Sequence, residues 1–150
     1  MKEIRNGNYL AHRVAIEITK TYDLLEDVFN RHFARFGLSP VKFNALMQLL
    51  HAGDEGLAFS ELSEKMLVSR ANITGLVDRL EKDGLVYREA DGRDRRIWRA
   101  KVTARAKELL SAVVPIHGDF TGTVLSALNP DEKELLIKLL KKVQSGLDKY

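Results

Sequence analysis

The sequence predicts a mainly α-helical chain with one small β-hairpin. Apolar residues recur at steps of three and four over most of its length, which is the spacing of one helix face. Two runs, LVYREA at 85–90 and RIWRAKV at 96–102, are instead rich in the β-branched and aromatic residues typical of strands. Asp91 and Gly92 lie between these runs and favour a turn, so the runs are expected to pair as a hairpin.

Composition excludes several classes of protein. The 150 residues are 45% hydrophobic and 30% charged, which is the balance of an ordinary folded protein. No apolar run approaches the roughly 18 residues of a membrane span, and the segment MKEIRNGNYL lacks the apolar core of a signal peptide. We therefore expect a cytoplasmic protein with no membrane partner. The absence of cysteine excludes disulfides and thiol-based redox sensing.

The first third of the chain predicts two helices. A long helix from about Tyr9 to Phe36 follows from a stripe of apolar residues on one face. The stripe consists of Leu10, Val14, Ile18, Tyr22, Leu25, Phe29, Phe33 and Phe36. Ser39 and Pro40 are typical of the cap and the first position of a second helix, which is expected to end before Gly53.

The middle of the chain predicts a helix-turn-helix that is followed by the hairpin. After a short run at 57–59 that is expected to pair as a strand, Ser60 is expected to cap a brief helix. Ser69 is expected to cap a longer helix that ends at Gly84. The apolar face of this longer helix consists of Ile73, Leu76, Val77 and Leu80. Two short helices, a tight turn and a hairpin together indicate a winged helix-turn-helix lobe.

The last third predicts two further helices. Thr103 is expected to cap the first, and Pro115 is expected to kink it before the apolar pattern resumes as far as Leu128. Asn129, followed by a glutamate three residues later, is typical of a capping box at the start of the final helix. The apolar face of the final helix consists of Leu135, Leu136, Leu139, Leu140, Val143 and Leu147.

The apolar stripes at both ends of the chain need a covering surface. We expect a second copy to cover them, because the first helix is longer than a small central lobe can bury. On this interpretation residues 9–36 and 103–149 form a helical dimerisation lobe of the single chain 1–150. Residues 39–102 then form the winged helix-turn-helix lobe. The alternative is that the terminal helices pack on each other within one chain.

Positive charge is concentrated in the hairpin. Residues 88–105 contain seven Arg or Lys and three acids, an excess larger than the net charge of +3 of the whole chain. The segment DGRDRR at 91–96, here named the wing tip, carries arginines that can contact the phosphates or the narrow minor groove of double-stranded DNA. Asp94 is expected to orient one of them by a charge-assisted bond. A self-compensated surface turn is the alternative.

The longer helix of the helix-turn-helix offers a small, polar outward face. With the apolar face inward, a turn of about 100° per residue leaves these other side chains outward. They include Ala71, Asn72, Thr74, Gly75, Asp78, Arg79 and Lys82. We expect Arg70, Asn72 and Thr74 to contact bases, because these side chains pair with guanine and adenine or touch the thymine methyl group. A merely solvated helix face is the alternative.

The second strand of the hairpin alternates apolar and basic residues. Trp98 and Val102 are expected to point inward, and Arg99 and Lys101 outward. Trp98 is therefore expected to be a core residue rather than one that stacks on a base.

These segments resemble the MarR (multiple antibiotic resistance regulator) family of bacterial winged-helix regulators. The resemblance covers nearly the whole chain, and its most specific parts are VSRANITGLVDRLEKDGLVYRE, DGRDRR and the VT at a helix start. It implies a homodimer that represses transcription from a pseudo-palindromic operator, with a recognition helix in the major groove. The residues of this chain that match the recognition helix are Ser69, Arg70, Ala71, Asn72, Thr74, Gly75 and Arg79.

The resemblance also implies roles for the wing tip. The family's pair of an Asp two residues before an Arg matches Asp94 and Arg96, with Arg96 expected in the minor groove. Arg93 and Arg95 match more variable positions and are expected to contact phosphates. Gly75 departs from many relatives, which carry a larger or basic side chain there, so the resemblance does not define the operator sequence.

Many members of this family are released from DNA by phenolic or aromatic carboxylate ligands. By resemblance we expect a small aromatic or phenolic effector as a partner, and no cofactor. The candidate pocket residues are His12, Phe33, Phe36, Phe43 and His51. Ordinary packing is the alternative for each of them.

Two other classes of function fit the sequence less well. An enzyme is not expected, because the four histidines lack metal-ligand spacing and the chain has no nucleophile motif or glycine-rich phosphate loop. We therefore predict no catalytic and no metal site. A winged-helix module that binds another protein instead of DNA would need an apolar or acidic exposed helix face. The predicted face is small, polar and adjacent to arginines, which favours DNA.

Overall fold

The structure is a computed structural model that describes residues 4–66 and 68–148, with side chains from residue 8 onward. These residues form helices, a single 3-10 turn and short strands. In chain order the elements are α1 (Ile4–Ala34), α2 (Pro40–His51), the 3-10 turn (Gly53–Glu55), β1 (Leu57–Ala58), α3 (Phe59–Met66), α4 (Arg70–Lys82), β2 (Val86–Ala90), β3 (Trp98–Val102), α5 (Ala104–Val124) and α6 (Pro130–Leu147). This order confirms the predicted mainly α fold with one hairpin. The chain folds as two compact units that divide after Leu110.

Side-chain caps define where four of the helices begin. Ser39, Ser69 and Thr103 each accept a hydrogen bond from the backbone N–H three residues later, at 3.3, 3.3 and 3.1 Å. Asn129 accepts the N–H of Glu132, whose carboxylate accepts the N–H of Asn129 in return, each at 2.9 Å. These bonds satisfy N–H groups that the first turn of a helix leaves unpaired. The caps predicted at these positions are confirmed.

The start of α3 differs from the prediction. α3 begins at Phe59, so Ser60 lies inside its first turn and is not its cap. The carboxylate of Glu61 instead accepts the backbone N–H of Ala58 at 2.7 Å. A carboxylate near the beginning of a helix is also favoured by the helix dipole. The predicted Ser60 cap is therefore wrong, because α3 begins one residue before Ser60 and the Glu61 carboxylate bonds back to the residue that precedes the helix.

The strands form one antiparallel sheet in the order β1, β3, β2. β2 and β3 are the predicted hairpin, in which Val86 lies opposite Val102 and Ala90 opposite Trp98. β1 is the predicted short strand and pairs with the other edge of β3. The sheet therefore joins the hairpin to the segment that leads into α3.

Two glycines are required by the backbone around this sheet. Gly56 has φ of 61°, a left-handed conformation, and a Cβ there would overlap the backbone carbonyl of Ala100 on β3. Gly84 has φ of 73° and follows α4, as predicted for a residue that ends a helix. Gly56 therefore allows the segment before β1 to lie against β3, and Gly84 allows the chain to turn from α4 into β2.

The apolar face of α4 packs in the core of the first unit. The residues predicted for that face are buried, each at most 2% exposed. They are Ile73, Leu76, Val77 and Leu80. Phe33 of α1 stacks on Phe43 of α2 with ring centroids 4.6 Å apart. Because burial of such side chains contributes about 1.5–3 kcal/mol each, the outward face of α4 is fixed by what lies beneath it.

The apolar stripe of α1 changes from exposed to buried along the helix. α1 begins at Ile4, earlier than predicted. Four members of the stripe are each at least 38% exposed. They are Leu10, Val14, Ile18 and Tyr22. Leu25 and Phe29 are half-buried, and Phe33 is 2% exposed. Only the end of α1 therefore contributes to the core of its unit.

The last two helices include the predicted proline and the predicted apolar face. α5 continues through Pro115 as one helix to Val124, four residues short of the predicted end at Leu128. Every member of the predicted apolar face of α6 is at least 36% exposed. These members are Leu135, Leu136, Leu139, Leu140, Val143 and Leu147.

The part of the chain that the structure describes contains neither a membrane-spanning helix nor a cluster of metal-ligating side chains. No helix in residues 4–66 or 68–148 has both the length and the apolar character needed to cross a membrane. Over the same residues, histidine and carboxylate side chains form no group of three or more that could hold a metal ion.

Candidate DNA-binding interface

The first two turns of α4 present the predicted small and polar face. Ala71, Asn72 and Thr74 are exposed, while Ile73 between them is fully buried. The Thr74 hydroxyl donates to the backbone carbonyl of Arg70 at 3.1 Å, which fixes its rotamer and directs its remaining acceptor positions outward. This face leaves room for close approach of another molecule.

Gly75 makes the same face shallow in its middle. A Cβ built on Gly75 would lie 3.4 Å from a guanidinium nitrogen of Arg79, which is an ordinary van der Waals contact. Arg70 and Arg79 are exposed on either side of it. The outward face therefore combines a shallow centre with a positive charge toward each end.

Arg88 on β2 ties α4 to the hairpin. Its guanidinium forms ion pairs with Asp78 and, at 3.0 Å, with Glu81, both on α4. It also lies over the ring of Phe59 at 5.4 Å from the centroid. No local sequence pattern indicates this role, because Arg88 and Asp78 are ten residues apart and lie on different elements. These contacts couple the position of α4 to that of the hairpin.

Asp91 organises the turn at the start of the wing tip. Its carboxylate accepts the backbone N–H groups of Arg93 at 2.8 Å and Asp94 at 3.1 Å. It also pairs with Arg99 at 3.1 Å. The two backbone bonds, and then Arg99, hold the pKa of the Asp91 carboxyl below its usual range. The turn is thus built on an ionised aspartate at neutral pH.

Asp94 holds Arg96 in one orientation, as predicted. The Asp94 carboxylate accepts the Nε–H and Nη2–H groups of Arg96, each at 3.1 Å, and its backbone N–H at 3.0 Å. The bonds to the guanidinium lower the pKa of Asp94 and raise that of Arg96. The side chain of Arg96 is nevertheless 90% exposed. Arg93 and Arg95 are also exposed. The wing tip therefore presents a fixed, solvent-facing guanidinium beside two further arginines.

Arg99 anchors the base of the wing tip to the opposite edge of the sheet. Its guanidinium donates to the backbone carbonyl of Glu55 at 2.8 Å and to that of Gly56 at 3.1 Å. It also pairs with Glu61 of α3 at 3.3 Å. The prediction of an outward position for Arg99 is therefore incomplete, because its charge is used inside the protein. The three wing-tip arginines remain for a partner.

The structure brings α4 and the hairpin to one concave surface. A depression of about 270 Å³ lies between them, and we name it the α4–hairpin groove. Its lining residues are Ala58, Phe59, Ser60, Arg70, Thr74, Arg96, Ile97 and Trp98. Two predicted base contacts, Arg70 and Thr74, thus share a surface with Arg96. Ser60, Ile97 and Trp98 were not predicted to belong to this surface.

Trp98 is not a core residue, contrary to the prediction. It lies on the same face of the sheet as Ala100 and Val102, as the alternation indicates, but its side chain is 51% exposed. Ala100 is fully buried and Val102 is 7% exposed. The apolar face of β3 therefore extends beyond the core and ends at the α4–hairpin groove.

The five candidate effector residues occupy different environments. Phe33 and Phe43 are buried against each other, whereas His12 and His51 are exposed. Phe36 borders an open cavity of about 430 Å³. The other residues of that cavity are Gly37, Lys82, Asp83, Leu85, Arg105 and Leu109. The cavity thus combines apolar walls with two cationic side chains and one carboxylate, and Phe36 is its one member from the predicted set.

A helix-turn-helix with polar and basic groups of its second helix and hairpin on one surface defines a winged helix-turn-helix DNA-binding protein. A model described as MarR family matches residues 36–97, from the end of α1 to the wing. The HTH-type transcriptional regulator MhqR of Bacillus subtilis (strain 168) is 32% identical over 131 residues, which are 87% of this chain and 89% of that protein. The chain belongs to the MarR family.

Two solved structures share this fold. Sco3205, a MarR family transcriptional regulator from Streptomyces coelicolor solved in complex with DNA, is 30% identical with a TM-score of 0.82, over 93% of this chain and 90% of that one. The organohalide-sensing regulator RdhR-CbdbA1625, in its 2,4-dichlorophenol-bound form, has a TM-score of 0.84 at 24% identity, over 91% of this chain and 80% of that one. As predicted, this chain is a DNA-binding transcriptional regulator and not an enzyme.

Proposed function

We propose that the protein is a repressor that binds a pseudo-palindromic DNA operator as a homodimer in the cytoplasm. The observation that carries this proposal is the α4–hairpin groove, where Arg70, Thr74 and Arg96 lie on one surface. A dimer places two such surfaces on DNA, with half-sites about 10 bp apart. Bound there, the dimer competes with the transcription machinery for the same duplex.

The exposed face of α4 reads the bases of the major groove. Asn72 pairs with adenine and Arg70 with guanine, because both side chains can form two parallel hydrogen bonds to the base edge. The methyl groups of Thr74 and Ala71 contact the thymine methyl. Ser69, Gly75 and Arg79 complete the contact surface, as the matched recognition helix implies.

The wing tip contacts the DNA beside the major groove. Arg96 enters the minor groove, where a narrow width strengthens the negative potential. Its bonds to Asp94 support this role, because they orient the guanidinium before DNA arrives and reduce the rotamer entropy lost on binding. Arg93 and Arg95 are exposed and contact phosphates.

The homodimer is supported by the apolar side chains that α1 and α6 expose. Tyr22 and Leu24 of α1 are 61% and 67% exposed, and Leu135 and Leu147 of α6 are 55% and 63% exposed. Exposed apolar patches of this kind mark interaction surfaces. We assign residues 9–36 and 103–149 to a dimerisation lobe on this basis, of which residue 149 lies outside the described residues, and 39–102 to the DNA-binding lobe.

The proposal includes release from DNA by a small aromatic effector. RdhR-CbdbA1625, which shares the fold, was solved with 2,4-dichlorophenol bound. The cavity beside Phe36 suits an aromatic anion, since Leu85 and Leu109 offer apolar contact and Lys82 and Arg105 offer positive charge. The carboxylate of Asp83 also lines the cavity, and its charge is balanced by an ion pair with Lys42 at 2.6 Å. Isothermal titration with a panel of phenols and aromatic carboxylates tests this part. Absence of heat together with unchanged DNA affinity contradicts it.

A winged-helix module that binds protein is the alternative function. Its contact face would be apolar or acidic, whereas the first turns of α4 expose Arg70, Asn72 and Thr74, and the wing tip exposes three arginines. The exposed acids of α4, Asp78 and Glu81, are paired with Arg88. Salt separates the two functions. Affinity for DNA falls steeply with salt because bound counterions are released, and an apolar protein contact is far less sensitive.

Binding is tested by fluorescence anisotropy with duplexes selected from random sequence by the wild-type chain. We expect tight, sequence-selective binding that weakens between two salt concentrations. Arg96→Ala should weaken binding by about 1–3 kcal/mol and reduce the salt slope by about one. Arg31→Ala removes the same charge from an exposed position of α1 and is the matched control. Equal affinity for selected and random duplexes overturns the proposal.

A further inference from the structure

Trp98 is a large apolar side chain that the core leaves uncovered. Its indole is 51% exposed, and Ile97 beside it is 41% exposed. Both residues follow the wing tip directly, and Trp98 opens β3 opposite Ala90. Exposure of an indole to water is unfavourable, so a surface that covers it on binding gains apolar contact.

The residues around Trp98 indicate the chemical character of the partner surface that would cover it. Trp98 lines the α4–hairpin groove together with Arg70 and Thr74 of α4 and with Arg96 of the wing tip. An apolar protein surface on this groove would bury the guanidinium of Arg70 and would take the exposed Arg96–Asp94 pair out of water, at a large cost in desolvation. The DNA backbone offers phosphates for the arginines and apolar deoxyribose rings for the indole.

We propose that Trp98, with Ile97, forms a non-ionic contact to the DNA backbone between the α4 contact and the wing-tip contact. This inference rests on the proposed DNA-binding function. The indole ring packs on a deoxyribose, and its Nε1–H donates to a phosphate oxygen, since Trp offers both an apolar face and one donor. Such a contact adds affinity without neutralising a phosphate.

The salt dependence of binding separates this contact from the ionic ones. Trp98→Ala should weaken binding about tenfold, as judged from the loss of aromatic contacts with nucleic acids. The slope of affinity against salt should stay as in the wild type, because Trp98 carries no charge. Trp98→Phe should recover part of the affinity, since it keeps an aromatic face but loses the N–H donor.

Tyr87 provides a matched control on the same sheet. It is an aromatic residue with 44% exposure, and its register opposite Lys101 places it on the other face from Trp98. Tyr87→Ala should leave DNA affinity unchanged. Thermal unfolding of each variant by circular dichroism shows whether the fold is retained.

A spectroscopic measurement on the unmodified protein gives a second test. Trp98 is the one tryptophan of the chain, so tryptophan emission reports on this position alone. Acrylamide should quench that emission severalfold less in the complex with a selected duplex than in the free protein. Equal quenching in the saturated complex, or unchanged affinity of Trp98→Ala, overturns the inference, while sequence-selective and salt-dependent binding by the wild type upholds the proposed function. A wild-type chain that selects no duplex overturns both.

Discussion

Asp94 and Arg96 show how a surface charge is prepared for binding. An unrestrained arginine on a hairpin tip samples many rotamers, and fixing it on DNA costs entropy. Asp94 lies two residues earlier and accepts three hydrogen bonds from Arg96. The guanidinium face that remains exposed is thereby oriented toward solvent. The arrangement favours a hydrogen bond of defined direction from Arg96 to its partner over a non-directional electrostatic attraction.

This pair should be insensitive to pH across the neutral range. The pKa of Asp94 is lower in the folded protein than in the unfolded chain, so the pair stabilises the fold above the unfolded pKa. That stabilisation is lost only as pH falls through the folded pKa. We expect the Arg96 Nε–H resonance to keep its position from about pH 5 upward and to shift in more acidic solution. A shift near pH 6 would contradict the assignment.

Asn72 should determine the preference for one base pair. Asn72→Ala should lose about 1–3 kcal/mol of discrimination at a single operator position, because two hydrogen bonds to adenine disappear. Competition binding with singly substituted operators measures this loss. Asn44→Ala, which changes an exposed asparagine on α2, should leave the preference intact. Equal weakening on every sequence would show that Asn72 does not read a base.

Residues whose partners lie within three positions were predictable from the sequence. Ser39 and Ser69 cap helices through the N–H three residues on, so the local order of residues contains the whole interaction. The misassigned Ser60 marks the limit of this reasoning, because the bond from Ala58 to Glu61 lets α3 begin one residue before the serine. Trp98 marks another limit. The alternation of apolar and basic residues along β3 predicts which face of the sheet Trp98 lies on, but it does not predict how far the core extends beneath that face.

Arg88 shows what depends on the packing of separate elements. Its contacts run from β2 to α4 and to Phe59 at the start of α3, and no local motif indicates them. The same holds for the cavity beside Phe36, whose walls come from several segments of the first unit. Motif and resemblance therefore predict which residues contact DNA, whereas the contacts that support those residues are visible only in the structure.

The tie between α4 and the hairpin should affect both stability and DNA binding. Arg88→Met keeps the apolar stem of the side chain but removes its charge, and with it the ion pairs to Asp78 and Glu81. We expect a loss of about 1 kcal/mol in unfolding free energy, which is typical of a partly exposed ion-pair network, and weaker operator binding. Lys101→Met removes an ion pair to Glu89 within the hairpin and is the matched control. Urea unfolding and anisotropy measure the two effects, and equal DNA affinity of both variants would contradict a positioning role for Arg88.

The pairing of β1 with β3 should depend on Gly56. Gly56→Ala introduces a side chain at φ of 61° and against the carbonyl of Ala100, so the strands must separate. We expect a loss of about 2–4 kcal/mol, from backbone strain and steric overlap together. Gly92→Ala in the wing tip meets no atom within 4 Å and should be nearly neutral. Thermal unfolding of both variants distinguishes a required glycine from a tolerated one.

At the scale of the whole molecule, the exposed stripes of α1 and α6 make the association state a central prediction. Light scattering coupled to size exclusion should give twice the chain mass of 17.0 kDa. Ile18→Asp on α1 and Leu139→Asp on α6 should each shift the protein toward the monomer, because a charge would be buried in an apolar interface. Lys20→Asp changes a neighbouring exposed position that pairs with Glu17 and should remain dimeric. A wild-type mass of one chain at micromolar concentration would contradict the dimer.

The shallow centre of α4 also bears on how such regulators diverge. A side chain added at Gly75 meets only the flexible end of Arg79, and alanine is a better helix former than glycine by about 1 kcal/mol. Ala71 and Asn72 are likewise exposed, and the buried residues that hold α4 lie on its opposite side. Substitutions on the outward face of α4 are therefore expected to cost little free energy of folding. On the proposed function, a duplicated copy of this protein can acquire a new operator through changes at 71, 72 and 75 while the buried residues beneath α4 stay unchanged.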